Sequence, residues 1–241
     1  FRFTGTGAPA ETASGAFAPY GPFWAVATHG ERAYGLAGRG NTTWRGLVVL
    51  SATDAGVASV LGAFAIWDET GPYSNMVGPY GIVVADRYAY LLDEEVGLQV
   101  VDVSDPTAPA PLGSYQVAGM HAYSVGMGPD RRVFFGTEFD GLRELVLDDP
   151  AHPQLVGAYV PPREVTAVAS AGDLVVVADA DAGIRLLDGA SGPELRQLGQ
   201  VETFYPGSRV NDIAVRGAHA YLAEEFVVDV ADIADPAAPS V

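Results

Sequence analysis

The chain has 241 residues, no cysteine, and 13 Lys and Arg against 30 Asp and Glu, a formal net charge of −17. Without thiols, disulfides and thiolate metal centres are excluded, and the charge argues against nucleic acid and anionic membranes, which both favour Lys and Arg. No apolar run approaches the roughly 18 residues that span a bilayer, and the first residue, Phe1, reads as a processed or trimmed start.

In chain order, residues 1–14 read as an N-terminal arm; Gly, Ala and Thr give Phe1–Thr12 no core of its own. Gly15-Ala16-Phe17-Ala18 matches Gly62-Ala63-Phe64-Ala65 further on, so residues 15–23 read as a strand and a link. Small, apolar strand candidates follow at Trp24–Thr28, Gly81–Ala85, Ser124–Met127, Val165–Ala169 and Ile213–Val215. Each is followed by a second apolar run, centred on Tyr34, Tyr90, Phe134, Val176 and Tyr221, at steps of 56, 44, 42 and 45 residues. A Gly-apolar pair opens a third run at Gly46-Leu47, Gly97-Leu98, Gly141-Leu142 and Gly183-Ile184. Asp-Pro turns close three copies, at Asp105-Pro106, Asp149-Pro150 and Asp235-Pro236. An outer strand comes last, as in Leu112–Tyr115 and Val156–Tyr159. Dense Val, Leu and Tyr bounded by Gly, Asp and Pro is the composition of short strands.

A period of roughly 40–45 residues with about four strands per unit predicts an all-β fold, a β-propeller of about five four-stranded blades. The blades fall near 24–66, 80–118, 122–160, 164–203 and 210–241, in a single domain over 1–241. The chain stops after Asp235-Pro236, where an outer strand would begin, so the N-terminal strand is expected to complete the last blade. The wording GLQVVDVSDPTAPAPLGSY, at Gly97–Tyr115, resembles the LVIVD-repeat family of β-propellers, most strongly over 85–117. That resemblance implies a secreted or cell-surface protein and brings no catalytic residues with it.

In an up-and-down blade, the loop between strands two and three shares one end, here called the top, with the link between blades. The Asp-Pro turns lie at the bottom, where Asp102, Asp105, Asp148, Asp149, Asp188, Asp232 and Asp235 are expected to cap turns through their side chains. The top loops are acidic: Asp93-Glu94-Glu95, Glu138 with Asp140, Asp179 with Asp181, and Glu224-Glu225. Clustered like charges repel, and a divalent cation relieves them. Asp179, Asp181, Glu138 and Asp140 are therefore candidate Ca²⁺ ligands, against the plainer reading of a solvated acidic rim.

The blade-to-blade links are aromatic, with Trp24, Trp67, Tyr73, Tyr80, His121 and Tyr205 as candidate ligand-binding residues beside Asp212. Aromatics near carboxylates suit sugar stacking or capture of a cationic group, and otherwise plug the channel mouth. The longest link, Ile66–Tyr80, is a candidate contact loop. Asn41-Thr42-Thr43 matches a glycosylation sequon. No Gly-rich phosphate loop and no Gly-x-Ser-x-Gly elbow is present. The expected role is a non-enzymatic binding or scaffold module outside the cell or at its surface, with protein or glycan partners and Ca²⁺ as a candidate cofactor. One alternative is a glycoside-hydrolase-like enzyme that uses top-face carboxylates such as Glu164 and Asp212. The other is a self-assembling surface subunit.

Overall fold

The computed structural model describes residues 20, 23–38, 44–51, 59–68, 79–93, 97–116, 122–161, 163–190, 195–203 and 207–241. Among these residues there is no helix. The fold is that of propeller blades: five consecutive antiparallel sheets, each hydrogen-bonded in chain order. The first contains β1 (Phe23–His29), β2 (Arg32–Ala37), β3 (Trp44–Ser51) and β4 (Val60–Asp68). The second contains β5 (Pro79–Ala85), β6 (Tyr88–Asp93), β7 (Gly97–Asp102) and β8 (Ala110–Tyr115). The third contains β9 (Ala122–Met127), β10 (Arg132–Thr137), β11 (Leu142–Val146) and β12 (Gln154–Tyr159). The fourth contains β13 (Val165–Ala171), β14 (Leu174–Asp179), β15 (Ile184–Asp188) and β16 (Arg196–Val201). The fifth contains β17 (Val210–Arg216), β18 (His219–Glu224) and β19 (Val228–Asp232), with a single bridge from Asp232 to Ser240 beyond it. Gly15–Ala18, expected to complete this last sheet, lie outside the described residues.

By its contacts the chain divides into two compact units, Phe1–Leu91 with Val100–Leu112, and Leu92–Gln99 with Gly113–Val241. The first has a core of Tyr34, Leu36, Leu47, Val49, Ala89, Leu91 and Val101, contributed by its consecutive sheets. In the second, Val176, Ala178, Ile184 and Leu186 of the fourth sheet pack on Val210, Ile213, Ala220 and Leu222 of the fifth. The second strands of the first four blades are covered on both faces and read as continuous apolar runs; Leu174–Asp179, LVVVAD, is buried from its second residue on.

The recurrent glycine opening the third strand has a backbone cause. Gly97, Gly141 and Gly183 have φ of 73°, 71° and 81°, in the left-handed region that a β-carbon disfavours. The turns at the other end of the sheets are capped as expected. Asp102, Asp105, Asp149, Asp188, Asp232 and Asp235 each accept a hydrogen bond from the backbone N–H two residues on, at 2.9–3.0 Å. Asp148 is exposed.

These capped turns also lock neighbouring sheets together. The outer-strand glycines sit directly against them. A β-carbon on Gly62 would lie 2.5 Å from the carbonyl oxygen of Pro106. One on Gly113 would lie 2.5 Å from those of Pro150 and Ala151, and one on Gly199 would lie 2.3 Å from that of Pro236. The recurrent Leu-Gly of the outer strand and the recurrent Asp-Pro turn are two halves of one contact: the glycine leaves the space that the turn of the following blade fills.

Candidate functional site

Four of the five first strands carry a β-bulge near their start, three of them in the second unit. The register slips at Tyr123 in β9, Thr166 in β13 and Asn211 in β17, and at Trp24 in β1 of the first unit. A bulge near the start of a first strand turns one side chain out of the alternating pattern and towards the loops. Tyr123 uses this to donate its hydroxyl to Glu138 at 2.9 Å. Thr166 instead donates to the carbonyl of Val210 at 2.5 Å and ties the fourth sheet to the fifth.

Beside them, an open pocket of about 470 Å³ is lined by Arg163, Glu164, Ala180, Asp181 and Arg209. Arg209 grips Glu164 with two nitrogens, at 2.6 and 3.1 Å on separate carboxylate oxygens. This fork-to-fork geometry is the strong, directional form of an Arg–carboxylate pair. Hydrogen bonding to Glu164 also raises the pKa of the Arg209 guanidinium, with the charges of Glu164, Tyr123 and Asp181 adding to it. Arg163 pairs with Asp181 at 3.0 Å. The pocket therefore presents two cations and two anions, all partly open to solvent.

The acidic loops divide into two classes that their sequences do not separate. Asp179 is fully buried. Its Oδ2 accepts a hydrogen bond from Arg185 Nε at 2.6 Å and forms an ion pair with Arg185 Nη2 at 2.6 Å, and its Oδ1 accepts a hydrogen bond from the Arg163 backbone N–H at 3.0 Å. Arg185 goes on to Gln197 and Gln200, and Gln197 accepts the Tyr159 hydroxyl at 2.6 Å. Asp93 and Glu224 end β6 and β18 at the same point of the blade and are also buried, as is Thr137 at the end of β10. These four are buried at the ends of their strands and form no part of a solvated rim. Asp181, Glu138 and Asp140 do reach solvent, and Asp140 pairs with Arg143 at 3.3 Å. Among the described residues, no three His, Cys, Asp or Glu side chains come close enough together to hold a metal ion.

Of the candidate ligand-binding residues, Trp24 is half-exposed on β1. Asp212 is exposed on β17, with its Oδ1 accepting the Ile213 backbone N–H at 2.9 Å. Tyr73, His121 and Tyr205 lie outside the described residues, as do the side chains of Trp67 and Tyr80. Sequence reading missed Arg163 and Arg209, whose partners lie in other links and loops. It also missed two aromatics at loop tips, Phe139 and Phe226, which are 71% and 90% exposed. Their signal was available: each is a large apolar residue placed in an acidic turn instead of in a strand.

The LVIVD repeat family model matches residues 80–117 and 207–241, the second and fifth blades. No curated protein matches the chain. Among solved structures, a protein from Lactobacillus plantarum aligns with a TM-score of 0.70 at 14% identity, covering 90% of this chain and 69% of its own. The computationally designed Ika8 protein aligns with a TM-score of 0.62, also at 14% identity, covering 89% of this chain. This chain spans 59% of the length of Ika8. At these identities the likeness is one of fold.

Proposed function

We propose that this LVIVD-repeat β-propeller is a non-enzymatic binding module, acting outside the cell or at its surface through its top loops. The observation that carries the reading is the polar mouth at Arg163, Glu164, Asp181 and Arg209. Its volume of about 470 Å³ lies within the range of small-ligand sites. Its charges are paired with one another in the free protein, so they are held in position at little cost until a ligand exchanges with them. Two guanidiniums beside two carboxylates suit a partner that presents carboxylates together with hydroxyls or amines, as an acidic glycan or a mixed-charge peptide does. The exposed Phe139 and Phe226 offer stacking surface on loops of the same topological end. Binding is preferred to glycoside hydrolysis because both oxygens of Glu164 are already engaged by Arg209, which makes that carboxylate an acceptor held in place.

The test is an array of neutral and uronate-bearing oligosaccharides and short peptides, followed by calorimetry of the best probe. Arg209→Ala and Arg163→Ala should each weaken that probe by about tenfold or more, the loss of one charge-assisted contact, with the fold intact by circular dichroism. A probe that binds both variants as tightly as the parent, or an array on which nothing binds, would sink the proposal.

A further inference from the structure

Three consecutive top loops of the second unit place a large or charged side chain at one shared position. β10, β14 and β18 end at Thr137, Asp179 and Glu224, which pair with Ala122, Val165 and Val210 of the first strands. Two residues past these ends stand Phe139, Asp181 and Phe226. Asp181 pairs with Arg163, whereas the two phenylalanines are 71% and 90% exposed. The sheets beneath are pinned to one another: the Ser124 hydroxyl accepts the Val168 N–H at 3.0 Å, and Thr166 donates to the Val210 carbonyl at 2.5 Å. The three tips are therefore carried on one framework.

Each phenylalanine stands among carboxylates. Phe139 lies between Glu138 and Asp140 in sequence, and Phe226 follows Glu224 and Glu225. A ring beside a carboxylate suits a cationic side chain: the aromatic face attracts the charge and the acid accepts its hydrogen bonds. The fourth sheet holds such a cation of its own, since Asp179 is answered by Arg185, whose register partner is Val177. In the fifth sheet Glu224 takes the place of Asp179, and Asp229, paired with Leu222, takes that of Arg185. Glu224 is 8% exposed, and neither of its carboxylate oxygens makes a hydrogen bond of ordinary geometry, although Ser208 and Asp229 lie beside it. The fifth sheet thus keeps the buried acid of the fourth and lacks the guanidinium that the third strand supplies there.

We infer that these loops bind an arginine-bearing basic segment of a partner protein, with one guanidinium at Phe226 beside Glu224 and Glu225, and a second at Phe139 beside Glu138. This rests on the reading of the top loops as a binding surface and narrows the partner to a peptide chain that carries positive charge. The net charge of −17 draws such a segment in and discourages an acidic one. Arginine is favoured over lysine because its planar fork stacks on a ring and engages a carboxylate through two N–H groups at once.

The experiment titrates the whole chain into short fluorescent peptides that carry two arginines at graded spacings in a Gly-Ser background, read by anisotropy. Twin peptides carry glutamine in place of arginine. The best arginine peptide should bind at least about tenfold more tightly than its twin. Phe139→Ala and Phe226→Ala should each weaken it by about threefold or more, and Phe139→Leu and Phe226→Leu should weaken it too, because leucine keeps the apolar bulk and loses the ring. None of these variants changes the charge of the protein, so diffuse attraction to its acidic surface is the same in all of them. Arg209→Ala separates this inference from the pocket reading. Loss in the phenylalanine variants alone supports the inference without the pocket, and loss in Arg209→Ala alone supports the pocket and overturns the inference. Arginine peptides that fail to bind at any spacing, or that bind no better than their glutamine twins, overturn it as well.

Discussion

Gly113→Ala isolates the contact between an outer strand and the next capped turn. The new β-carbon would stand 2.5 Å from two carbonyl oxygens, those of Pro150 and Ala151, where ordinary contact begins near 3.4 Å. Both obstacles are backbone atoms of a turn that Asp149 fixes through the Ala151 N–H at 3.0 Å, so no side-chain rotation relieves the clash. Something must move by most of an ångström, and overpacking of this kind costs about 1–3 kcal/mol. For a chain of this size each kcal/mol is about 2–4 °C in melting temperature, so the variant should melt about 2–12 °C lower. Ser114→Ala is the control: its exposed side chain lies next along the same strand, and it should change stability by less than about 0.5 kcal/mol. Asp149→Ala loosens the turn and should make Gly113→Ala less costly in the double variant than in the parent. The assay is thermal and urea unfolding followed by circular dichroism. If Gly113→Ala is as stable as Ser114→Ala, the glycine is not reserving space for the turn and the pairing of the two motifs is coincidental.

Arg185→Ala should be the most damaging single charge removal, since it strands the buried Asp179 carboxylate; the expected loss is about 3–5 kcal/mol by urea unfolding, with Asp179→Asn added on top restoring part of it. Arg196→Ala breaks only an exposed pair with Asp188 at 3.3 Å and should cost less than about 1 kcal/mol in the same assay. In acid, the hydrogen bond from Thr107 holds the Asp105 carboxyl below its usual range, and that with His152 does the same for Asp149. Groups lowered in the folded state stabilise above their unfolded pKa of about 3.9 and lose that contribution as pH falls through the folded value. A melting-temperature profile should therefore be insensitive to these two groups from pH 7 to about 5 and fall below about pH 4. Asp105→Asn with Asp149→Asn should flatten that acid limb, and an unchanged limb would refute their part in it.

The strands and the bottom turns could be read from sequence because their causes are local. An Asp that caps a turn bonds to a backbone N–H two residues on, and the glycine before each third strand answers to its own φ. The top of the blades could not be read in the same way. Asp179 and Asp181 are two residues apart in one acidic loop, yet one is sealed against Arg185 and the other faces solvent with Arg163. Local charge does not distinguish them, because the difference is made by which way the strand end points and by a partner reached through folding. Arg209 and Glu164 lie 45 residues apart and meet only because consecutive sheets bring successive links to one place. Asp212 is exposed just after the bulge with its carboxylate accepting the Ile213 amide, a local arrangement that its position in the repeat does not reveal.

The glycine-and-turn contact also bears on how the molecule comes apart. Because a turn from one blade seats on the outer strand of the blade before it, the ordering of each repeat is linked to that of its neighbour. Such linkage behaves as nearest-neighbour coupling between consecutive repeats. Opening of one turn should then lower the protection of the outer strand it seats on as well as its own. Amide exchange would show this as matched losses in paired elements, with the covered second strands β10 and β14 slowest.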